Sequence, residues 1–356
     1  MKYKAFQFLE NGYIEVIDQR KLPFQKEPFL LKTSDDAFYA IKEMVVRGAG
    51  VIGNIGAIGV YLAALESRGD KHHVEWQSEL LRHARPTAVN LTWAIDRMLT
   101  KLKNTKNGNS IESLKKEAIQ ICEEDKENTI AIGKHGFLLI EDIWKRNGKK
   151  KVNILTHCNA GYLGIVDSGT AIAPIYEAKK NGIDIHVWVD ETRPRNQGSN
   201  LTSWELSQEG IEHTIVVDNT GGLLLQKKLV DIVFVGADRV TAKGDVANKI
   251  GTYLKALAAH DNNVPFYVAF PVSTFDFLLS DGLSQIEIEL RGEEEIKYVH
   301  GLDSKGNYKK VLVTLPDTKV ANYGFDVTPN RLITGLITEK GICDANEDAI
   351  RKKYLN

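Results

Sequence analysis

The stretch VNILTHCNAG, residues 152–161, decides the fold of this chain. A short apolar run over residues 152–156 ends in His157, Cys158 and Asn159, and a loop containing Gly161 follows. An apolar run of this length, closed by polar residues and a glycine, is typical of a buried strand. The strand would deliver a thiol and an imidazole to the loop that follows it.

The same pattern, a short apolar run followed by a polar loop, recurs along the rest of the chain and predicts a parallel sheet. Further apolar runs at 183–189, 214–217, 232–235 and 265–269 alternate with helical patterns at 171–180, 201–208, from 222, and at 246–260. Short apolar strands that alternate with helices are typical of a parallel sheet with helices on both faces. We therefore predict a Rossmann-like domain over residues 151–356.

The first 150 residues follow a different, mostly helical pattern. Residues 3–17 favour short strands, whereas 34–46 and 111–144 carry apolar residues at helical spacing. The apolar stretch 51–65 is interrupted by Asn54 and is shorter than a bilayer requires, so we interpret it as a buried helix. The predicted fold class is α/β, with a small mostly helical N-terminal domain (1–150) before the Rossmann-like domain (151–356).

The charge balance and the cysteines narrow the possible classes of function. Lys plus Arg number 46 and Asp plus Glu number 47, so no global field attracts nucleic acid or an anionic membrane. The N-terminus lacks the apolar core of a signal peptide, and the three cysteines have no disulfide-like or metal-like spacing. We expect a cytoplasmic protein with no membrane or nucleic-acid partner and no metal cofactor.

Residues 48–53, GAGVIG, match the dinucleotide fingerprint G-x-G-x-x-G, but their context does not. The fingerprint requires a preceding strand and an acidic residue about twenty positions on, at the end of the next strand. Here the preceding segment has a helical pattern, and Glu66 and Asp70 lie at the end of another helix. We therefore predict no nicotinamide cofactor. Together with Arg47, the glycines bind a phosphate at a helix N-terminus, permit close helix packing, or do both.

Two reactive side chains follow predicted strands directly. Parallel sheets bind ligands beyond the carboxyl ends of their strands, which makes Cys158 and Asp238 candidates for catalysis. Helix N-termini or cations nearby would lower the pKa of the Cys158 thiol, although a free cysteine is more often a small buried hydrophobe. Burial would raise the pKa of Asp238 and make it a proton donor. The alternative role for Asp238 is a helix cap, for which Asp245 is the better candidate.

Several polar side chains in predicted loops suit the recognition of hydroxyl and phosphate groups. Arginine offers a two-pronged donor and lysine a point charge, and singly each of these residues is an ordinary surface group. The candidates are Arg85, Arg193, Gln197, Asn248 and Lys249.

Seven long segments resemble the methylthioribose-1-phosphate isomerases, a family related to ribose-1,5-bisphosphate isomerase and to the regulatory subunits of translation initiation factor two-B. The segments are VRGAGVIG (46–53), ARPTAVNLTWAIDRM (84–98), ILTHCNAG (154–161), DIHVWVDETRPRNQG (184–198), LTSWELSQEGI (201–211), VGADRVTAKGDVANKIGTY (235–253) and FDVTPNRLITGLITEKGI (325–342).

The resemblance implies a homodimeric enzyme of methionine salvage that uses neither metal nor nicotinamide. It implies isomerisation of 5-methylthioribose 1-phosphate, or of the related 5-deoxyribose 1-phosphate, to the corresponding ribulose 1-phosphate. By position, it implies that Cys158 and Asp238 are the catalytic pair. The implied substrate-binding set is Arg47, Gly48, Ala49, Arg85, Gln197, Asn248 and Lys249. The initiation-factor relatives are not expected to retain the catalytic pair, so its presence favours an enzyme.

The chain departs from the family pattern at a few positions. Gly50 stands where the family usually has proline, Asp167 lies in a stretch expected to be small or aromatic, and Arg195-Asn196 replace residues that are more often apolar. These changes point to a more polar pocket for the C5 substituent, which would suit 5-deoxyribose 1-phosphate or another pentose 1-phosphate better than a methylthio group. The alternative functions are a ribose-1,5-bisphosphate isomerase and a non-catalytic regulatory protein of the initiation-factor type.

Overall fold

The first part of the chain forms a small antiparallel sheet followed by five helices. The computed structural model describes residues 3–85, 88–106 and 108–355. Strand β2 pairs with both β1 and β3. The elements are β1 (Phe6–Phe8), β2 (Ile14–Ile17), β3 (Pro28–Leu31), α1 (Ser34–Lys42), α2 (Ala49–Glu66), α3 (Lys71–Arg82), α4 (Val89–Lys103) and α5 (Ser110–Arg146).

Helix α2 is the centre of this helical part. It is long and apolar enough to cross a membrane, but 83% of its residues are buried inside the protein, as in the core helix of a globular fold. The helices α1, α3, α4 and α5 all pack against it. Glycine allows part of this close packing, since a Cβ on Gly56 would lie 2.4 Å from Cδ1 of Leu91. The prediction of a buried helix is confirmed.

The rest of the chain contains most of the strands. They are β4 (Val152–Thr156), β5 (Ile185–Asp190), β6 (His213–Val216), β7 (Ile232–Val235), β8 (Arg239–Thr241), β9 (Val246–Lys249), β10 (Phe266–Ala269), β11 (Phe275–Asp276), β12 (Tyr298–Leu302), β13 (Tyr308–Leu312), β14 (Phe325–Thr328), β15 (Gly335–Thr338) and β16 (Gly341–Cys343). The helices are α6 (Ala173–Lys180), α7 (Ser203–Gln208), α8 (Thr220–Gln226), α9 (Thr252–Asp261), α10 (Gly282–Gln285), α11 (Glu294–Lys297) and α12 (Glu347–Tyr354).

Seven of these strands form one large sheet, whose order is β16-β15-β10-β7-β4-β5-β6. Every neighbouring pair is parallel except β15 and β16. Its buried apolar side chains contribute to two hydrophobic clusters, one with α6 and the second half of α5, the other with α8 and α9. The predicted α/β class, with a helical N-terminal part before a Rossmann-like parallel sheet, is confirmed.

The order of the strands reverses at β4. From β4 the chain moves outward through β5 and β6, and then returns to form β7 on the other side of β4. The two central strands pair directly, with Ile154 opposite Ile232. Such a reversal opens a crevice at the carboxyl ends of the two strands, where α/β proteins bind ligands. Cys158 follows β4 and Asp238 follows β7, so the crevice lies between them.

The predicted helix over 246–260 is wrong in its first part. Residues 246–249 form β9, which pairs with β8 and β14 in a four-stranded sheet, and α9 begins only after Gly251. Asp245 is therefore not the cap of that helix. Its carboxylate instead accepts hydrogen bonds from the backbone N–H groups of Gly282 and Asn330, at 3.0 Å each.

The boundary predicted near residue 150 lies in the turn between α5 and β4. Helix α5 packs against α2 in the first part of the chain and against α6 and β15 in the second. The division into domains of residues 1–150 and 151–356 therefore stays a prediction.

Candidate active site

A cavity of about 60 Å³ lies at the crevice between β4 and β7, and we call it the inner cavity. All nine residues predicted for the site line it, although they come from six separate segments of the chain. They are Arg47, Gly48, Ala49, Arg85, Cys158, Gln197, Asp238, Asn248 and Lys249. His157, Asn159 and Phe325 also contribute to its wall.

Cys158 is held in a backbone conformation that non-glycine residues rarely adopt. Its φ is 65°, in the left-handed region, which costs energy unless the surrounding structure enforces it. Its N–H donates to Oγ1 of Thr192 at 2.8 Å, and its carbonyl accepts from Oγ1 of Thr202 at 2.7 Å. The thiol in turn points to Oε1 of Gln197, 3.5 Å away. Strain of this kind is concentrated at functional sites and fixes where the sulfur lies.

Burial controls the proton affinity of both candidate catalytic groups. It raises the pKa of the Cys158 thiol, and the nearby charges of Arg47 and Lys249 oppose the rise without reversing it. The expectation that cations would lower this pKa below its ordinary value is therefore wrong. Burial likewise raises the pKa of Asp238, against the charges of Lys249, Arg47 and Arg85. This agrees with the expectation for a proton donor.

Three cationic side chains surround the inner cavity. Arg47 donates through Nη1 to Oδ1 of Asn159 at 2.5 Å and through Nη2 to the carbonyl oxygen of Asn159 at 2.7 Å. Lys249 donates to the carbonyl oxygen of Gly324 at 2.9 Å and lies 4.8 Å from the ring centre of Phe325. Burial lowers the pKa of Lys249. These buried cations favour an anionic ligand in the cavity, because a bound anion would compensate their lost hydration.

Arg85 has donors that the protein leaves without an acceptor. Its Nη2 lies 3.3 Å from Oε2 of Glu289, but Nε and Nη1 are buried and have no partner among the described residues. Burial lowers the pKa of this guanidinium. An oxyanion bound in the cavity could occupy these two donors.

The N-terminus of α2 forms one wall of the inner cavity. Gly48 precedes the helix with a φ of 94°, and a Cβ there would lie 2.4 Å from Cα of Gly164. Gly48 and Ala49 therefore bring the first free N–H groups of an 18-residue helix to the cavity. No strand precedes Gly48 as the dinucleotide fingerprint requires, because residues 34–42 form α1. The glycines allow both close packing and an anion site, the two roles left open above.

Glu205 on α7 organises the loop after Cys158, and sequence reasoning missed it. Its fully buried carboxylate accepts four hydrogen bonds, from Nδ2 of Asn159 at 2.9 Å, the N–H groups of Tyr162 and Leu163 at 3.0 Å, and the hydroxyl of Tyr176 at 2.8 Å. Because Nδ2 of Asn159 is turned to Glu205, its Oδ1 faces Arg47. Glu205 thus orients a cation of the cavity through an intermediate amide.

A second buried cluster lies behind the inner cavity. His157, Asp190 and Asp218 each offer an atom that could bind a metal, all within 4.8 Å of one another. Lys255, however, places its ammonium nitrogen 3.1 Å from Oδ2 of Asp190 and donates to the backbone carbonyl of Asp218. Because this ammonium already supplies the positive charge that the carboxylates require, we assign no metal to the cluster.

A larger cavity of about 310 Å³, which we call the outer pocket, adjoins the inner cavity and shares Met44, Arg47 and Gln197 with it. Its lining includes Arg20, Arg193, Arg195, Asn196, Glu294, Glu295, Tyr298, Tyr308 and Lys310. Arg193, predicted as a ligand-binding candidate, lies here rather than in the inner cavity. Asp167 lies outside both cavities, with its carboxylate 3.6 Å from the ammonium of Lys126.

Most charges of the outer pocket are compensated within the protein. Arg195 pairs with Glu295 at 2.9 Å and Lys310 with Glu294 at 2.6 Å. Arg20 pairs with Asp18, which does not line the pocket, at 2.7 Å. Arg193, by contrast, donates to the backbone carbonyls of Pro194 and Ile296. The outer pocket is therefore polar, and three of its cations, Arg20, Arg195 and Lys310, already have anionic partners.

Comparisons with known proteins agree with this architecture. Residues 45–345 match the model of the initiation factor 2 subunit family. The chain is 56% identical to a methylthioribose-1-phosphate isomerase of Sulfurimonas denitrificans, over 99% of this chain and 98% of that protein. It is 50% identical to the protein of the same name from Gluconobacter oxydans, over 96% and 93%.

Two solved structures resemble the whole chain. One is 5-methylthioribose 1-phosphate isomerase from Pyrococcus horikoshii, with a TM-score of 0.84, 34% identity and coverage of 99% of this chain and 96% of that one. The other is the delta subunit of translation initiation factor eIF-2B from A. fulgidus, with a TM-score of 0.80, 35% identity and coverage of 98% and 99%. This chain therefore belongs to the initiation factor 2 subunit family and, within it, is similar over nearly its full length to proteins named methylthioribose-1-phosphate isomerase.

Proposed function

We propose that this protein is an aldose–ketose isomerase that converts 5-methylthioribose 1-phosphate to 5-methylthioribulose 1-phosphate. The observation that carries the proposal is the composition of the inner cavity. A carboxyl group with a raised pKa and a thiol lie on opposite sides of the reversal in strand order, among Arg47, Arg85 and Lys249. An acid that can open the sugar ring and buried cations that can bind the phosphate suit the isomerisation of a sugar 1-phosphate, and the thiol lies beside them.

The phosphate is held, in this proposal, by the cations and by the first N–H groups of α2. Arg85 contributes two donors that have no acceptor within the described protein, and Gly48 opens the helix N-terminus to the ligand. Arg47 arrives already oriented by Asn159, so less conformational entropy is lost when it binds an oxygen.

Asp238 is the proposed acid for ring opening. Phosphate on the anomeric oxygen blocks ordinary ring opening, so the C1–O4 bond breaks only if O4 receives a proton. A carboxyl group whose pKa is raised by burial holds that proton at a higher pH than an exposed aspartate. The bonding electrons leave with O4, which becomes the C4 hydroxyl, and C1 becomes electron-poor.

Hydrogen must then move from C2 to C1, and two routes account for every proton and electron pair. In the first, C2 transfers a hydride directly to C1, and the C2 hydroxyl proton returns to the Asp238 carboxylate as the ketone forms. In the second, a Cys158 thiolate takes the C2 proton and returns it to C1. Because burial raises the pKa of Cys158, the thiolate is disfavoured. We therefore favour the hydride shift, with Cys158 shaping the site.

Turnover in deuterium oxide separates the two routes. We expect no deuterium at C1 of the ketose, because a hydride shift never exposes the migrating hydrogen to solvent. Deuterium at C1, measured by NMR of the product, would favour the thiolate route instead.

The charges around the outer pocket bear on the substituent at C5. The pocket adjoins the inner cavity, and we propose that it receives this group. Because Arg20, Arg195 and Lys310 are already paired with carboxylates, the pocket is better suited to an uncharged substituent than to a second phosphate. This argues against ribose 1,5-bisphosphate as the substrate, while both a methylthio group and the methyl group of 5-deoxyribose remain compatible.

A substrate panel tests the proposal. The values of kcat/KM for 5-methylthioribose 1-phosphate, 5-deoxyribose 1-phosphate and ribose 1,5-bisphosphate should rank the bisphosphate last. Absence of isomerase activity on all three substrates would refute the proposal and promote the regulatory role of the initiation-factor relatives. That alternative is supported by the match to the initiation factor 2 subunit family and by a structural likeness to the initiation factor subunit, with a TM-score of 0.80 against 0.84 for the isomerase.

Variants of the catalytic pair test the mechanism. Asp238→Asn should lower kcat by about 10²–10⁴-fold, because it removes a general acid. Cys158→Ser should also lower kcat, whereas Cys122→Ser, which changes a buried thiol on α5, should retain it. Full activity of a folded Asp238→Asn protein would contradict the assigned role.

We further propose that the protein is a cytoplasmic homodimer. Large apolar side chains are exposed after β6 and on the helices α8 and α9, which pack against each other, namely Val217, Leu223 and Leu254, each at least half exposed. A second copy could cover such a surface. Light scattering should give a dimer for the native protein and a monomer for a Val217→Glu, Leu254→Glu double variant, and Leu315→Glu is the exposed control. A monomeric native protein would refute this proposal.

A further inference from the structure

His157 makes a hydrogen bond through each of its ring nitrogens. Nε2 lies 2.8 Å from the carbonyl oxygen of Ile250, and Nδ1 lies 2.8 Å from Oδ2 of Asp190. Both side chains are buried, with 1% and 0% of the surface exposed. A backbone carbonyl can only accept a hydrogen bond, so Nε2 must carry a hydrogen.

The hydrogen between Nδ1 and Asp190 could belong to either group, and Lys255 decides between them. Its ammonium nitrogen lies 3.1 Å from the same oxygen, Oδ2, that faces His157. An ionised carboxylate oxygen accepts from two donors at once, and a neighbouring cation favours the ionised form. Asp190 is therefore the anion, and the hydrogen belongs to Nδ1.

We infer that His157 is a permanently protonated imidazolium that positions the catalytic site and does not exchange protons during the reaction. The groups that face it fit this charge. Asp190 approaches from β5, Lys255 from α9 and Asp326 from β14, where the Asp326 carboxylate accepts from the N–H groups of Gly251 and Tyr253. Asp218 also contributes a carboxylate oxygen within 4.8 Å of a His157 ring nitrogen. Three carboxylates thus face the two cations.

The imidazolium ties together segments that carry the proposed chemistry. His157 immediately precedes Cys158, and its partner Ile250 immediately follows Lys249. Its two donated hydrogen bonds therefore connect the end of β4 to β5 and to the turn after β9. Because a neutral imidazole has only one N–H, it could not donate both bonds. The positive charge of His157 therefore fixes the position of the Cys158 thiol relative to the Lys249 ammonium group in the inner cavity.

The protonation state can be observed directly by NMR on protein labelled with nitrogen-15 at its nine histidines. The His157 signals are assigned by their loss in His157→Gln, whose amide can still donate to the Ile250 carbonyl. We expect both ring nitrogens of His157 to stay protonated from about pH 5 to about pH 8, a range over which an unperturbed histidine loses its proton. The signal of an unprotonated ring nitrogen within that range would overturn the inference.

Two variants test the cause and the consequence. In Asp190→Asn the anionic partner is gone, so His157 should lose a proton within the same pH range, and its failure to do so would refute the role of Asp190. The catalytic consequence rests on the proposed isomerase function. His157→Gln should lower kcat by about 10–100-fold and leave both limbs of the pH profile in place. Loss of a limb would make His157 a proton-transfer group and overturn the inference. Absence of isomerase activity in the native protein would refute the proposed function only, because the NMR result does not depend on it.

Discussion

Replacing Glu205 with glutamine tests how the loop after Cys158 is held. The glutamine oxygen can keep the bonds from Asn159 and Leu163, but its NH₂ group then faces the N–H of Tyr162, which loses its acceptor. The Tyr176 hydroxyl can rotate and accept instead. An orphaned buried N–H costs about 1–3 kcal/mol, and the remaining bonds weaken because their acceptor is no longer charged. Relief from burying a carboxylate offsets part of this cost, so we expect a loss of about 2–4 kcal/mol.

Urea unfolding measured by circular dichroism gives this free energy of unfolding directly. The matched control is Glu212→Gln, which removes a largely exposed carboxylate paired with Lys151 and should change stability little. Because Asn159 keeps its orientation in Glu205→Gln, it still orients Arg47. The KM for the phosphate substrate should therefore change little, although the variant is less stable. A Glu205→Gln protein as stable as the native protein would refute the view that the charge of Glu205 supports the loop.

Two further predictions concern the helical part of the chain. Burial raises the pKa of Asp125, whose carboxylate accepts from Nδ2 of Asn54 at 2.7 Å, to about 7, against 3.8 for the free group. Between these pH values the folded state binds more protons than the unfolded state, so the free energy of unfolding should fall by up to about 4 kcal/mol as pH rises from about 4 to about 7. Urea titrations should show a flatter pH dependence for Asp125→Asn. Parallel curves for the two proteins would contradict the assignment. Gly48→Ala should lower the free energy of unfolding by at least about 1–2 kcal/mol, because φ at Gly48 is positive and the added Cβ would meet Gly164. The control is Gly222→Ala on α8, which has open space around the added Cβ and should be neutral or stabilising. Equal effects of the two changes would show that the close approach at Gly48 does not matter.

Local patterns in the sequence predicted the large sheet well. The runs at 152–156 and 232–235 match β4 and β7 residue for residue. Buried parallel strands are continuous apolar runs, so their signal is contained within a few neighbouring residues. Because the carboxyl ends of such strands meet at one edge, Cys158 and Asp238 could be identified as neighbours before their positions were known.

Features that depend on distant partners could not be predicted in this way. β9 resembles the start of a helix in sequence, and it is a strand because it pairs with β14, about eighty residues further along. Glu205 looks like an ordinary residue of a short amphipathic helix, and its partners lie 29 to 46 residues before it. The pKa of Cys158 was predicted in the wrong direction, because the depth of burial depends on how separate segments enclose the thiol and the local sequence carries no measure of it.

The pairing of β4 with β7 has a consequence for how the protein can change over evolution or in directed evolution. The acid and the thiol follow neighbouring strands, so their separation is set by a backbone ladder with a spacing of about 4.8 Å, not by any loop. The walls of the outer pocket belong largely to separate segments around residues 193–201 and 294–310. Gln197 lies in the first of these segments but also lines the inner cavity beside Cys158. Libraries confined to those segments, with Gln197 left unchanged, should therefore yield enzymes with altered preference for the C5 group and an unaltered reaction, because the sheet fixes the positions of the acid and the thiol.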